Sequence, residues 1–184
     1  LTNSATDHRI TIHSVELAKI GLGVSRGDVC LLENLRRLSQ PDLRHVLHTT
    51  ASGRETFVRR GLEPHPETFI YREIGRGKDE RLGISAAYAW RTFLALRPPA
   101  LGPPTNPAVV LSHSDILPTV VYAYRLSRQN RLPWLAWSHM VLPDLTRGYH
   151  GHFAGTRSIP SYAFTLSALS QRLSLLLLAS RASR

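Results

Sequence analysis

The sequence predicts an α/β fold built on an open, mainly parallel sheet. Two observations carry this prediction. Apolar segments of strand length alternate along the chain with segments of helical spacing, an alternation typical of right-handed βαβ units on a parallel sheet. Residues 108–111 also form a nearly continuous apolar run, as expected of a strand that is buried on both faces.

Each element follows from its local pattern. Alternating or continuous apolar residues predict strands at 9–13, 44–50, 67–74, 108–111 and 133–138. Helical spacing predicts helices at 29–38, 53–60, 82–96, after residue 115, and from 161 onward.

Asp28 is placed to cap the first helix, and Ser114 or Asp115 to cap the fourth, with Pro118 near its first turn. We expect the aromatic group of the third helix to pack in the core: Tyr88, Trp90 and Phe93.

The proline-rich segment 98–107 is interpreted as a crossover loop, because the alternating pattern continues on both sides of it. Residues 1–184 are therefore expected to form a single domain. The only cysteine, Cys30, excludes an intrachain disulfide and a multi-cysteine zinc site, and its apolar surroundings suggest a core residue. No apolar run approaches the roughly 20 residues needed to cross a bilayer.

The charge balance is strongly basic, with 23 Lys and Arg against 13 Asp and Glu and a formal net charge of +10. Such a charge favours anionic partners, including phosphates and an acidic membrane leaflet. A merely basic, solvated surface is the other interpretation, because the arginines are scattered along the chain. We do not expect nucleic acid as a partner, since no basic stripe or aromatic platform of a known reader is visible.

The stretch 108–139 carries the main chemical candidates. One predicted strand ends in Ser112-His113-Ser114-Asp115, and the next ends in Ser138-His139. Because the carboxyl ends of parallel strands meet at one edge, where open α/β sheets bind ligands, His113 and His139 are expected to be neighbours. His139 could exchange a proton with a bound hydroxyl or phosphate, although a structural role for a lone histidine is also open.

A glycine-rich loop follows the first predicted strand and contains Gly21, Gly23, Gly27 and Asp28. Backbone N–H groups in such a loop, next to a helix N-terminus, could bind an anion or a sugar hydroxyl. The spacing disfavours a nicotinamide site, because the third glycine falls one place late for the dinucleotide fingerprint. A flexible turn is the alternative. Neither a serine-hydrolase elbow nor a complete set of metal ligands is present, so we expect no metal and no bound cofactor.

Four ordered segments carry a resemblance to a known family. They are R-I-T-I followed by G-D-V-C-L-L-E-N-L-R-R-L-S, then H-V-L-H-T-T-A-S-G-R-E-T-F-V-R-R-G-L, V-V-L-S-H-S-D-I-L-P and W-L-A-W-S-H-M-V-L-P. In this order they resemble the N-terminal domain of family 4 glycosyltransferases of the GT-B fold, over nearly the whole chain. The resemblance implies a Rossmann-like domain with helices on both faces of its sheet, which binds the acceptor on one side of a cleft.

The resemblance also implies roles for individual residues. His139 would match the histidine near the transferred sugar and be catalytic. The acceptor or cleft would be bound by Gly21, Gly23, Gly27, Asp28, His113, Ser114, Asp115 and Arg147. A nucleotide sugar would be the donor substrate, held by a C-terminal domain that this sequence lacks. We therefore expect a retaining transferase that is inactive until that domain is supplied in cis or in trans.

The implied partners are a sugar, a lipid-linked compound or another hydroxyl acceptor, with an anionic membrane surface as a further candidate. The implied location is the cytoplasm, with peripheral association at the inner membrane face. The alternative function is a non-catalytic basic α/β module that binds anionic lipid or polymer. The two functions differ in a testable way, because only the first requires His139 for acceptor binding.

Overall fold

The computed structural model describes residues 9–17, 33, 36–37, 42–75, 84–102, 106–114, 116–136, 169 and 172–180. These residues contain five strands and three bounded helices, and residues 172–180 are also helical. The elements are β1 (Ile10–Val15), β2 (Leu43–Thr49), α1 (Ala51–Arg59), β3 (Phe69–Glu73), α2 (Ile84–Ala95), β4 (Ala108–Ser112), α3 (Leu117–Asn130) and β5 (Trp134–Ala136).

The strands form one sheet in the order β3-β2-β1-β4-β5, and all four pairings between them are parallel. His13 of β1 lies opposite Val46 of β2 on one side and Val110 of β4 on the other. This confirms the predicted open α/β, Rossmann-like fold. It also places β1 at the centre, where the order of the strands reverses direction.

Helices cover both faces of the sheet. On one face, Phe57 of α1 packs with Leu47, Leu62 and Phe69. On the other face, residues of α2 and α3 pack on β1 and β4 in a second buried cluster: Val15, Leu17, Ala95, Val110, Tyr122, Ala123 and Leu126. Successive strand residues face opposite sides, and Val15 and Leu47 occupy adjacent registers, so the two clusters lie on opposite faces.

The ends of α1 follow from local chemistry. The Thr50 hydroxyl accepts a hydrogen bond from Gly53 N at 3.2 Å, which satisfies one of the unpaired N–H groups of the first turn. The chain leaves the helix through Gly61, which has a φ of +80°. A glycine is suited to this position because the left-handed conformation carries no penalty without a Cβ atom.

The predicted cap of the fourth helix is wrong. The N-cap of α3 is Ile116, without a side-chain hydrogen bond, and Pro118 lies in the first turn as predicted. The helix therefore begins later than the residues proposed as caps. The Ser114 hydroxyl bonds to other side chains instead, and Asp115 lies outside the described residues.

The predicted core role of the α2 aromatics is also wrong where it is tested. Trp90 and Phe93 are 43% and 53% exposed, while Ala87, Arg91 and Ala95 are buried. The cause is the close packing of α2 on α3, which the small side chains of Ala87 and Ala95 permit. The side chain of Tyr88, the residue Cys30 and most of the predicted helix 29–38 lie outside the described residues.

The predicted C-terminal helix is confirmed at residues 169 and 172–180. Its leucines lie largely on the exposed side, with Leu169, Leu173 and Leu176 between 45% and 65% exposed, whereas Ser174 is fully buried. Among the described residues, no helix combines the length and the apolar character that a membrane span requires.

Candidate functional site at the carboxyl edge of the sheet

The carboxyl ends of β1 and β4 lie side by side at the point where the strand order reverses. His113 N donates to Val15 O at 3.1 Å, which extends the pairing of these strands one residue beyond β4. Glu16 then follows β1, and Ser114 follows β4. Ligands of open α/β sheets bind in the crevice at this topological position. The fold thus places these residues where a ligand site is expected.

A buried polar cluster occupies this position. The Ser114 hydroxyl lies 3.3 Å from Glu16 Oε1 and 3.2 Å from the Thr119 hydroxyl. The Thr119 hydroxyl in turn accepts a hydrogen bond from Leu17 N at 3.0 Å. Glu16, Ser114 and Thr119 are each at most 5% exposed. Residues from β1, β4 and the start of α3 are therefore held together by hydrogen bonds.

A buried arginine of α2 extends the cluster towards β2. Arg91, which is 2% exposed, donates to Leu17 O at 3.0 Å and to the Ser52 hydroxyl at 3.3 Å. The Ser52 hydroxyl lies 3.1 Å from the Thr50 hydroxyl, at the start of α1. Hydrogen bonds to a charged donor are about twice as strong as neutral ones. Arg91 therefore ties the segments that follow β1 and β2 to the same helix.

The structure describes two of the predicted site residues. The His113 ring is fully buried, and the Ser114 hydroxyl belongs to the polar cluster. The remaining predicted site residues lie outside the described residues: Gly21, Gly23, Gly27, Asp28, Asp115, His139 and Arg147. Their predicted contacts with an acceptor, and the proximity of His139 to His113, stay predictions.

Sequence reasoning missed Glu16, Thr119 and Arg91. Glu16 had a usable signal, since an acidic residue directly after a strand that leads into a glycine-rich loop lies at the ligand-binding edge. Thr119 and Arg91 had none, because a threonine and an arginine inside helical patterns are ordinary surface residues. Only the packing of α2 and α3 on the sheet brings these two residues into the cluster.

A second buried polar group lies between the sheet and α3. His13 Nδ1 is 3.1 Å from His48 Nε2, and His48 Nδ1 is 3.0 Å from the Tyr122 hydroxyl. A neutral imidazole has one donor and one acceptor nitrogen, so the chain of hydrogen bonds can run in either direction with both rings uncharged. The three side chains are at most 8% exposed. Their hydrogen bonds connect α3 with β1 and β2.

The surroundings favour the neutral forms of this group. Burial, together with Arg72 and Arg44, lowers the pKa of His13 from 6.5 to about 4. Burial, then His13 and Arg72, holds the pKa of His48 well below its ordinary value. Burial raises the pKa of Tyr122. None of the three groups is therefore charged at neutral pH.

A cavity of about 420 Å³ lies beside this group, between the end of β3 and helices α2 and α3. The residues that line it include Arg72, Phe93, Arg97 and Tyr122. In the part of the chain that the structure describes, no carboxylate forms an ion pair with Arg72 or Arg97, whereas Glu73 pairs with Arg54 at 2.7 Å. The cavity is therefore bordered by two cationic groups and by one carboxylate, that of Glu73, which is paired with Arg54.

The described residues contain no group of three or more His, Cys, Asp or Glu side chains that could hold a metal ion. No family model, no curated protein and no solved structure matches this chain.

Proposed function

We propose that this chain is the acceptor-binding domain of a retaining glycosyltransferase, which transfers a sugar from a nucleotide sugar to a hydroxyl group. The observation that carries the proposal is the Glu16–Ser114–Thr119 cluster at the carboxyl ends of β1 and β4. A carboxylate and two hydroxyls offer the acceptors and donors that a sugar's hydroxyl groups require. Their position in the sheet is the one at which α/β folds bind ligands.

The sequence around this cluster supports the same function. The glycine-rich segment Gly21 to Asp28 comes shortly after Leu17, and Asp115 comes directly after Ser114. The proposed catalytic residue, His139, follows Ala136 at the end of β5 by three positions. The strands that precede these segments, β1, β4 and β5, all end at the same edge of the sheet, because the five strands are parallel. The resemblance described from the sequence assigns the acceptor to this edge.

The role proposed for the cluster is to orient the acceptor. A carboxylate that accepts a hydrogen bond from a sugar hydroxyl fixes the direction of that hydroxyl, and His139 is proposed to exchange its proton during transfer. The donor is proposed to bind to a second domain, in cis or in trans. The Thr119 hydroxyl hydrogen-bonds both to Ser114 and to the Leu17 backbone, which suits a positioning role for the cluster.

Binding of simple glycosides tests the proposal. We expect saturation-transfer nuclear magnetic resonance to detect millimolar binding of methyl glucoside, methyl mannoside or methyl galactoside to the full chain. We expect Glu16→Gln and, separately, Ser114→Ala to weaken that binding about tenfold, since a hydrogen bond to a charged group contributes about 1.5–3 kcal/mol. The matched control is Glu73→Gln, which removes an exposed carboxylate at the end of β3.

The outcomes separate the two functions considered. Glycoside binding that is lost in both cluster variants and retained in Glu73→Gln supports the proposal. Absence of glycoside binding, or equal binding by all variants, contradicts it. If glycosides do not bind but anionic vesicles do, and His139→Ala leaves the vesicle binding unchanged, the non-catalytic basic module is supported instead. Circular dichroism of each variant verifies that it is folded.

A further inference from the structure

Helix α2 has an inverted distribution of side chains. Its buried face carries Ala87, Arg91 and Ala95, at 0%, 2% and 0% exposure. Its outer face carries Trp90 and Phe93, and Leu96 follows in the next turn at 46% exposure. An ordinary surface helix of a globular protein buries its large apolar residues and exposes its arginines. The outer face of α2 is therefore apolar although it is exposed to solvent.

The exposed apolar residues form one continuous strip. The rings of Trp90 and Phe93 are stacked, with centroids 5.8 Å apart and planes inclined by 25°. Leu96 lies three residues further along, directly after the last residue of α2, so the strip extends over about two turns. We call Trp90, Phe93 and Leu96 the α2 strip. Contiguous exposed apolar groups rimmed by polar ones mark interaction sites.

The border of the α2 strip is cationic. Arg97 follows Leu96 directly, and Arg125 of α3 donates from Nε to Leu96 O at 3.2 Å, which fixes its guanidinium beside the strip. Neither arginine is ion-paired with a carboxylate within the described ranges. Between residues 84 and 136 the sequence has five arginines and one acidic residue, Asp115. The partner of this surface should therefore carry negative charge.

The cavity at the end of β3 adjoins the same surface. Phe93 belongs both to the α2 strip and to the cavity wall, which also includes Arg72, Arg97 and Glu73, whose carboxylate is paired with Arg54. Planar guanidinium groups bind phosphate oxygens in a bidentate manner. A cavity of about 420 Å³ beside an apolar strip can accept a headgroup phosphate while the acyl region contacts the strip.

We propose that the outer face of α2 docks on an anionic phospholipid bilayer. Trp90 and Phe93 enter the interfacial region, where aromatic rings are favoured, and Leu96 extends the contact. Arg97 and Arg125 contact anionic headgroups, and a headgroup phosphate occupies the cavity between Arg72 and Arg97. The helix lies on the membrane surface and does not cross it.

Vesicle flotation tests this proposal with the full chain. The vesicles are pure phosphatidylcholine, or equal parts of phosphatidylcholine and phosphatidylglycerol. We expect binding to the mixed vesicles only, and release by high salt. The double variant Arg97→Glu with Arg125→Glu should bind more than about tenfold more weakly, because it replaces the attraction of two basic residues to the anionic surface by repulsion.

Matched variants distinguish vesicle binding by the α2 strip from non-specific binding through other basic or apolar surface residues. Trp90→Ser with Phe93→Ser should reduce vesicle binding about tenfold or more, since interfacial binding scales with buried apolar area. Leu135→Ser, at an equally exposed apolar residue of β5, should have no effect. Arg59→Glu with Arg60→Glu, on exposed residues at the end of α1, should reduce binding less than the Arg97 and Arg125 pair.

Three results would overturn the proposal. The first is unchanged vesicle binding by the Trp90 and Phe93 double variant. The second is an equal loss of binding in the Arg59 and Arg60 control. The third is a dimer in sedimentation experiments that this Trp90 and Phe93 variant dissociates, because the α2 strip would then be a protein interface. Glycoside binding is measured separately, so failure here leaves the proposed acceptor site testable.

Discussion

Acid is expected to destabilise this protein through His13. Burial, then Arg72 and Arg44, lowers the pKa of this ring from 6.5 to about 4 in the folded chain. The unfolded chain therefore takes up the proton first as the pH falls. The stability contributed by the neutral ring is complete above about pH 6.5 and is lost progressively as the pH falls toward 4.

The magnitude follows from the difference between the two pKa values. Each pKa unit corresponds to about 1.4 kcal/mol, so a fall from 6.5 to about 4 corresponds to about 3 kcal/mol below pH 4. At about pH 4.5 most of this loss has occurred. Allowing for solvent screening at the incompletely buried ring, we expect His13 to account for about 2 kcal/mol of lost stability at that pH.

Urea unfolding near pH 7.5 and near pH 4.5 measures this loss. The His13→Asn variant is expected to be less stable than the wild type at the higher pH, because it loses ring packing. Its further loss between the two conditions should be smaller than that of the wild type by about 2 kcal/mol. His48 is present in both proteins, but His13 contributes to its lowered pKa, so the difference measures His13 together with its effect on His48.

The matched control for this measurement is His65→Asn, at an exposed histidine. It should lose as much stability as the wild type on acidification. The reasoning is refuted if His13→Asn loses as much stability as the wild type between the two pH values, or if the control shows the smaller loss instead.

Two further predictions concern α3 and use the same unfolding assay. Tyr122→Phe should cost about 1–3 kcal/mol, because it leaves the buried His48 Nδ1 without its hydrogen-bond partner, while Tyr124→Phe, at a partly exposed ring, should cost less than about 0.5 kcal/mol. A smaller cost for Tyr122→Phe than for its control would contradict that role. Arg131 ends α3 with a φ of 54°, so Arg131→Gly should stabilise the protein by about 1 kcal/mol, whereas Arg128→Gly inside the helix should destabilise it by about 1 kcal/mol. Destabilisation by Arg131→Gly would show that its side chain, not its backbone, dominates at that position.

The strands were predictable because apolar spacing is a local property. The strand predicted at 44–50 occurs at Leu43–Thr49, and the one predicted at 67–74 occurs at Phe69–Glu73. A strand that is buried on one face shows alternating apolar residues in the sequence, and a strand that is buried on both faces shows a continuous apolar run. The parallel sheet could be anticipated from the rule for right-handed crossovers, whereas the order β3-β2-β1-β4-β5 was not predicted.

The interior partners of α2 and α3 were not predictable from the sequence. Trp90 and Phe93 look like core residues by hydropathy, but Ala87 and Ala95 permit the close approach to α3 that decides which face is buried. The same packing buries Arg91. Such outcomes depend on contacts between distant segments, which a local pattern does not contain.

The candidate site was predictable by position more than by residue. The carboxyl edge was identified from the strands, and Ser114 lies in the cluster there. Glu16 and Thr119 are 103 positions apart in sequence and meet only because β1 and β4 are neighbours. The pair of His13 and His48 arises in the same way: His48 of β2 lies opposite Val15, two positions beyond His13 and on the same face of the sheet.

The central place of β1 also sets the order in which the molecule can be assembled during synthesis. Its first neighbour, β2, is complete once Thr49 has been made, and α1 and β3 can then enclose the cluster around Phe57. Its second neighbour, β4, and the helix that covers His13 are completed only at Asn130. At about 5–20 residues per second, the ribosome leaves the inner face of β1 and β2 open to solvent for several seconds. The face of β1 and β2 that carries His13 and His48 therefore stays exposed in the nascent chain until α3 is complete. A chaperone that recognises apolar strands can bind during this interval.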